Sequence, residues 1–207
     1  SWSRMSAADL SESDIDDLTP VELAAARGEL PSWARAATKR REHMSRVAAL
    51  MEHWAHELRL GEAEALRWAA VGWLHDVLRD EDHGLLIHEV GPNERDLPGP
   101  MLHGPAAATR LAGKVDPRVI QAIRYHTIGH PSLDLLGRAL YLADYLEPGR
   151  EFLPEWTEAL RRRMPAGLDE VLVEVLGQRI RRLIEVRKPL RPETSAFWSS
   201  LVAQGLR

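Results

Sequence analysis

The sequence predicts an all-α fold, and three observations support this prediction. Apolar residues recur at three- and four-residue intervals through most of the chain after Ser32, as the buried face of a helix requires. Val, Ile and Thr never alternate with polar residues for long enough to indicate a strand. With 207 residues and 44% apolar content, the chain is large enough to bury one substantial core.

The first part of the chain predicts three helices. Thr19 and Pro20 suit a helix start, and Gly28 suits its end, so a short helix is expected between them. A third helix is expected over residues 62–78, where an apolar run indicates burial on most sides. Between these two, a longer helix presents one apolar face made of Met44, Val47, Met51, Trp54 and Leu58.

The second part predicts a loop and then five helices. Residues 80–101 are rich in glycine, proline and charge, so we expect a loop over a functional site. His103 and Gly104 open the next helix, which ends near Gly113. Asp116 suits the N-cap of a further helix, which carries His126. The remaining helices are expected from Ser132 or Asp134 to Leu146, over residues 168–186 and over residues 194–202.

These elements predict one main domain with additions at both ends. Residues 1–31 form an N-terminal arm with the short helix, and the arm is acidic because Glu12, Asp14, Asp16 and Asp17 are crowded there. Residues 32–190 form the main helical domain, and residues 191–207 form a C-terminal helical tail.

Charge and composition exclude several classes of function. The formal net charge of −4 gives no general attraction to nucleic acid or to an anionic membrane, so phosphate recognition needs a local cluster of basic residues. Without cysteine, the chain has no disulfide, iron–sulfur cluster or thiol nucleophile, which leaves histidine and carboxylate chemistry. No run approaches the roughly 18 apolar residues of a membrane span, and no secretory pattern opens the sequence. A soluble, cytoplasmic protein is expected.

Six residues in the middle of the chain suit a centre that holds two metal ions. Imidazole nitrogen suits iron, manganese, cobalt or zinc, and carboxylates supply the charge that holds two cations together. Consecutive helical residues point about 100° apart, so one of an adjacent pair can reach a single metal while the other leans between two. Asp76 is therefore the candidate bridging ligand. The candidate ligands are His43, His75, Asp76, His103, His126 and Asp144.

The sequences around these residues resemble a known family. The strings KRREH, GWLHDVLRD, LHGPAAA, AIRYHTIGH and ALYLADYLEPGR occur in this order and are similar to the HD-domain metal-dependent phosphohydrolases, in particular to their YqeK branch. The resemblance covers roughly residues 40–183 and implies an HD-domain helical bundle. That branch is associated with symmetrical hydrolysis of diadenosine tetraphosphate to two ADP at a di-iron or related two-metal centre.

The resemblance also implies roles for individual residues. His43, His75, Asp76 and Asp144 would hold one metal, while Asp76, His103 and His126 would hold the other. The cofactor is then two divalent or mixed-valent metal ions, with iron favoured over manganese, cobalt or magnesium. Two such cations lie about 3.5 to 4 Å apart, polarise a phosphoryl group and activate water as the nucleophile.

Positive side chains are expected to stabilise the phosphates of the substrate and the departing ADP. Asp76 and Arg79 are the catalytic candidates, with Arg79 one turn beyond the bridging carboxylate. HD proteins often carry lysine where this chain has Arg79, and related sequences commonly have arginine where His130 stands. The candidate substrate contacts are Arg40, Arg79, Arg124, Thr127, His130 and Arg150.

Two other functions stay open beside the dinucleoside polyphosphatase. The first is a nucleotidase or a guanosine-polyphosphate hydrolase on the same HD scaffold. The second is a nucleotide-binding regulatory module without turnover, although a silent module has no need of all six ligands. In each case the expected binding partner is a small nucleotide, and binding to nucleic acid or to a membrane is not expected. Whether the chain forms a homodimer stays open.

Overall fold

The computed structural model describes residues 17–205, which form ten α-helices and contain no strand. The predicted all-α fold is confirmed. Two short 3-10 turns, Pro92–Glu94 and Gly99–Met101, lie between the fourth and fifth helices. The helices are α1 Pro20–Ala26, α2 Thr38–Glu57, α3 Glu62–Leu74, α4 His83–Leu86, α5 His103–Leu111, α6 Pro117–Tyr125, α7 Leu135–Leu146, α8 Pro154–Arg161, α9 Leu168–Glu185 and α10 Pro192–Ala203.

Helices α2 and α3 pack at very short range because of a glycine. A Cβ added at Gly72 of α3 would lie 2.5 Å from the Cα of Ala48 in α2, so a larger residue would push the two helices apart. The close approach sets His43 of α2 beside His75, which caps the end of α3, with ring centroids 5.4 Å apart. Packing of these two helices therefore forms one wall of the candidate site.

Both end helices contribute to the same core. Ala25 of α1 is fully buried, and Thr19 and Glu22 form a capping box at the start of that helix. Phe197 of α10 is also fully buried and meets the ring of Tyr141 edge-on, with centroids 5.9 Å apart. The division at residues 31 and 190 stays a prediction, and the acidic cluster at residues 12–16 lies outside the described residues.

Arg67 of α3 is the centre of a buried ion-pair network that ties α1 to the body. Its guanidinium lies 2.6 Å from Glu64 and 3.5 Å from the fully buried carboxylate of Glu22. It is also 3.6 Å from Asp116, the residue that caps α6. A buried charge is tolerated only with such partners, so this network fixes the register of three helices.

The structure differs from the predicted elements in three places. Helix α3 ends at Leu74, and residues 75–80 continue as turns in which Arg35 N donates to Val77 O. The predicted loop over residues 80–101 contains α4 and both 3-10 turns, because Leu86 and Val90 are buried and anchor it. Helix α8 was not predicted; it buries Thr157 and Leu160.

None of the helices within residues 17–205 combines the length and the apolar character needed to cross a membrane.

Candidate metal centre

The structure brings all six predicted ligands into one cluster, although they come from five helices or helix ends. Five of the six are buried, and the side chain of Asp144 is 13% exposed. Three of the histidines stand at helix boundaries, where the chain turns and the ring can point inward. The positions are His43 in α2, His75 at the end of α3, Asp76 in the turn that follows, His103 at the start of α5, His126 at the end of α6 and Asp144 in α7.

One half of the cluster is formed around Asp144. Its Oδ1 lies 3.2 Å from Nε2 of His43 and 3.9 Å from Nε2 of His75. The same two nitrogens lie 3.8 Å and 3.6 Å from Oδ2 of Asp76. Two imidazoles and two carboxylates thus surround one position.

The other half of the cluster uses the second oxygen of Asp76. Oδ1 of Asp76 lies 3.0 Å from Nε2 of His103 and 3.5 Å from Nε2 of His126. The two nitrogens are themselves 3.1 Å apart. Oδ2 faces the Asp144 half and Oδ1 faces this half, so the carboxylate of Asp76 lies between the two groups of histidines.

Every histidine of the cluster is held through its Nδ1 atom. His75, His103 and His126 bond through Nδ1 to the carbonyl oxygens of Gly72, Pro100 and Ile123, at 2.8, 2.9 and 2.7 Å. His43 differs, because its Nδ1 lies 3.2 Å from Oε1 of the buried Glu147. A hydrogen bond donated from Nδ1 fixes the tautomer that leaves Nε2 free as a ligand atom.

Burial and charge shift the pKa values of the cluster in opposite directions. Burial alone would lower the pKa of His43, but the neighbouring carboxylates of Asp144 and Glu147 outweigh burial and raise the pKa to about 9. Burial lowers the pKa of His75 to about 4. Burial opposes ionisation of Asp76 and Asp144, yet the neighbouring histidines hold both pKa values well below the usual range. The carboxylates therefore remain charged and attract a cation.

The donor set fits metal ions. Nε2 of His43 and Nε2 of His75 are shielded from solvent and make no hydrogen bond within the described part of the chain. Unpaired buried nitrogens are costly, and a cation between them would satisfy both. Ligand atoms of His43, His75 and Asp144 lie within 4.8 Å of one another, and so do those of His75, Asp76 and His126. Imidazole with carboxylate is a set that suits transition metals.

Basic side chains line one side of the cluster. Nη1 of Arg40 lies 2.8 Å from Oδ2 of Asp76, and Nη2 of Arg150 lies 2.5 Å from Oδ1 of Asp144. Both residues line a cavity of about 330 Å³ that reaches His43. We call this cavity the cationic groove, and its basic residues are Lys39, Arg40, Arg46 and Arg150.

The other predicted substrate contacts lie in different places. Oγ1 of Thr127 is 3.2 Å from Nε2 of His126, so it touches the cluster. Arg79 also lies near the cluster. Burial lowers the pKa of His103, and the positive charge of Arg79 lowers it further. Arg124 instead pairs with Glu94, and His130 stacks on Tyr125 with centroids 4.2 Å apart.

Arg124 and His130 line a separate cavity of about 420 Å³ that none of the six ligands lines. The structure therefore does not bring these two residues to the cluster, and their role as substrate contacts stays a prediction.

Three residues at the site were not singled out from the sequence. Glu147 orients His43, while Lys39 and Arg46 extend the cationic groove. The available signal was the string LEPGR, which places a glutamate three residues after Asp144 at the end of its helix. The sequence gives no direct sign that this glutamate is only 2% exposed.

Comparison with known proteins places the chain in a family. Residues 40–149, more than half of the chain, match the HD domain family model. The chain therefore belongs to the HD domain family, as the sequence motifs predicted. The match covers His43 through Asp144, so all six residues of the cluster lie within it.

Three relatives carry the same name. The chain is similar to proteins named symmetrical bis(5'-nucleosyl)-tetraphosphatase from Halalkalibacterium halodurans, at 34% identity over 107 residues, and from Bacillus subtilis, at 33% over 104 residues. The alignments cover 50% and 49% of this chain and 56% and 55% of those proteins. A Staphylococcus aureus protein of that name is 32% identical over 120 residues, 54% of this chain and 60% of that protein. The chain thus spans little more than half the length of these relatives.

A solved structure shares the fold over nearly the full length. It is a Clostridium acetobutylicum protein described as a predicted HD superfamily hydrolase involved in NAD metabolism, with a TM-score of 0.70 and 24% identity. The similarity covers 94% of this chain and 98% of that one, and it concerns the fold alone.

Proposed function

We propose that this chain is a two-metal hydrolase of dinucleoside polyphosphates, which cleaves diadenosine tetraphosphate symmetrically to two ADP. The observation that carries the proposal is the position of Asp76, whose two oxygens face two separate groups of histidine nitrogens. A carboxylate between two imidazole groups can offer one oxygen to each of two cations.

The two halves of the cluster would each hold one cation. His43, His75 and Asp144 would hold the first and His103 with His126 the second, with Asp76 shared between them. When bound, two such ions supply Lewis-acid polarisation of a phosphoryl group and a water of lowered pKa. The four imidazoles favour a transition metal over magnesium, which prefers oxygen ligands. We propose iron, with manganese or cobalt as the closest substitutes.

The protein's own residues would position the phosphates. Arg40 and Arg150 stand beside the two carboxylates and line the cationic groove, so a phosphate that reaches the ions through this groove would meet both guanidinium groups. Arg79 adds positive charge next to His103, and Thr127 offers a hydroxyl beside His126. Charge-assisted hydrogen bonds of this kind orient phosphate and stabilise the departing ADP.

The relatives support the choice of substrate. All three are named for symmetrical cleavage of bis(5'-nucleosyl) tetraphosphates. The alignments cover little more than half of each relative, so the substrate is proposed for this chain and is tested by the assay below.

The test compares substrates on metal-loaded protein. Diadenosine tetraphosphate, mononucleotides and guanosine polyphosphates are each supplied at the same concentration, and products are identified by mass. ADP as the sole product of the dinucleotide, formed faster than any product of the others, supports the proposal. Faster turnover of mononucleotides or guanosine polyphosphates would make those the substrates. Tight dinucleotide binding with no product over hours would indicate a regulatory module.

A further inference from the structure

Another cavity lies beside the metal cluster and shares no lining residue with the cationic groove. Its volume is about 380 Å³, within the usual range of small-molecule sites. Helices α7 and α9 and the start of α10 form its walls, and we call it the α9 cavity. The residues that matter here are Thr127, Tyr145, Phe152, Gln178, Arg179 and Leu183.

The α9 cavity and the metal cluster share a wall. Oγ1 of Thr127 lies 3.2 Å from Nε2 of His126, and the same threonine lines the cavity. Tyr145, another lining residue, directly follows Asp144. A ligand bound in this cavity beside Thr127 would therefore lie next to the cluster.

The lining combines aromatic surface with positive charge. Phe152 is 44% exposed and forms a T-shaped pair with Tyr145, with ring centroids 6.1 Å apart, so part of its aromatic surface is open to a ligand. Three arginines line the cavity and no acidic side chain does. Arg191 pairs with Asp96 and Arg182 with Glu185, whereas Arg179 has no carboxylate within 4.0 Å among residues 17–205. A neutral apolar ligand would form no ion pair with the arginines, and inorganic phosphate would not stack on the aromatic rings. A nucleotide, which is flat and apolar at one end and anionic at the other, matches both.

The guanidinium of Arg179 is held in place by contacts within the protein. Its Nη2 donates to the carbonyl oxygen of Thr127 at 2.9 Å, and its guanidinium lies 4.6 Å from the ring centre of Tyr141. Nη1 of Arg179 is shielded from solvent and has no hydrogen-bond partner among residues 17–205. This leaves both N–H groups of Nη1 for a ribose or phosphate oxygen, while the neighbouring Gln178 carries an amide that a base edge can use.

We propose that the α9 cavity binds the base and ribose of one nucleoside of the substrate, with the phosphate chain running past Thr127 to the metal cluster. The proposal rests on the proposed function, because it assigns to this cavity one end of a dinucleoside polyphosphate. It makes Phe152 and Leu183 determinants of affinity for the nucleoside and not for phosphate.

The experiment measures binding of ADP and of pyrophosphate to manganese-loaded protein by calorimetry. Because a base stacks on an aromatic ring, Phe152→Ala should weaken ADP binding about tenfold and leave pyrophosphate binding unchanged. Leu183→Trp, which fills the cavity, should do the same, while Phe152→Tyr keeps a stacking surface and should bind ADP like the wild type. Val202→Ala, an exposed apolar residue of α10 outside the cavity, is the matched control.

The outcomes separate this proposal from the function on which it rests. If the wild type cleaves diadenosine tetraphosphate and both cavity variants bind ADP as it does, the cavity assignment is wrong and the function stands. If the wild type cleaves nothing but ADP binding depends on Phe152 and Leu183, the function is wrong and the cavity assignment is supported. Equal losses of ADP and pyrophosphate binding in the variants would also contradict it, since the cavity would then act on phosphate or on the fold.

Discussion

Glu147 and His43 form a hydrogen-bonded pair behind the metal cluster, with Oε1 of the glutamate 3.2 Å from Nδ1 of the histidine. Glu147 is fixed in turn by Arg46, at 2.5 Å, and by the backbone N–H of Gly149, at 2.7 Å. Burial opposes its ionisation, but these partners outweigh burial and lower the pKa of Glu147 to about 2. His43 is thus the one histidine of the cluster whose Nδ1 bonds to a carboxylate within the described residues.

The pair predicts that Glu147 controls metal affinity. A carboxylate behind a metal-bound imidazole orients the ring and makes it a stronger ligand, and its loss usually costs about 10- to 100-fold in metal affinity or activity. Glu147→Ala should therefore weaken metal binding by about that factor, as measured by titration of metal-free protein with manganese. Glu151→Ala, an exposed glutamate close by, is the control. Equal affinity in Glu147→Ala and wild type would show that the pair has no role in binding.

Asp76 and Arg79 are predicted to have separable effects. Asp76→Ala removes the carboxylate shared by both halves of the cluster, so bound metal and hydrolysis should both be lost. Arg79→Ala removes charge beside the cluster without removing a ligand, so turnover should fall while metal content is retained. Elemental analysis together with ADP release measures both effects. Normal activity of Asp76→Ala would contradict the mechanism.

The buried network around Arg67 is predicted to stabilise the fold. Removing one partner of a buried ion pair leaves an uncompensated charge and typically costs about 3–5 kcal/mol. Because some partners of Arg67 are partly exposed, we expect Arg67→Ala to lower the free energy of unfolding by about 3 kcal/mol, measured by urea denaturation. Arg95→Ala, at an exposed position, should change it by less than about 0.5 kcal/mol. Similar small changes in both variants would contradict this role.

Glu64 of the same network predicts a loss of stability in acid. Burial opposes its ionisation, but hydrogen bonds from Arg118 and Arg67 outweigh burial and hold its pKa below the ordinary 4.5. The folded state then binds fewer protons than the unfolded state, so the contribution of Glu64 is complete above pH 4.5 and is lost as the pH falls through the lowered folded value.

The variant Glu64→Gln isolates this contribution because it cannot titrate. The difference in unfolding free energy between wild type and variant should be constant between pH 7 and pH 5 and should shrink below pH 4.5. A difference that does not change down to about pH 3 would show that Glu64 is not stabilised in its charged form.

The periodicity of apolar residues predicted which side chains are buried more accurately than it predicted where the helices end. The apolar pattern of the third helix continues through Val77 and Leu78, which are fully buried, although the helix itself ends at Leu74. Periodicity records which side chains face the core, and a turn can bury them as well as a helix does. Helix α8 was missed because it is only eight residues long and buries just Thr157 and Leu160.

The candidate site was predictable from the sequence where a role follows from the type of residue alone. His75 and Asp76 are adjacent in the sequence, and an adjacent histidine and aspartate suggest a bridged metal pair. Glu147 was not predictable in this way, because its role depends on burial and on the contact with His43 across 104 positions of sequence. Arg124 shows the same limit, since only the fold determines that it faces Glu94.

The most direct test of the two-metal centre is anomalous diffraction from crystals of manganese-loaded protein. The arrangement around Asp76 predicts two peaks about 3.5 to 4 Å apart, one among His43, His75 and Asp144 and the other beside His103 and His126. A single peak, or no peak within reach of Asp76, would contradict the central claim that this carboxylate joins two cations.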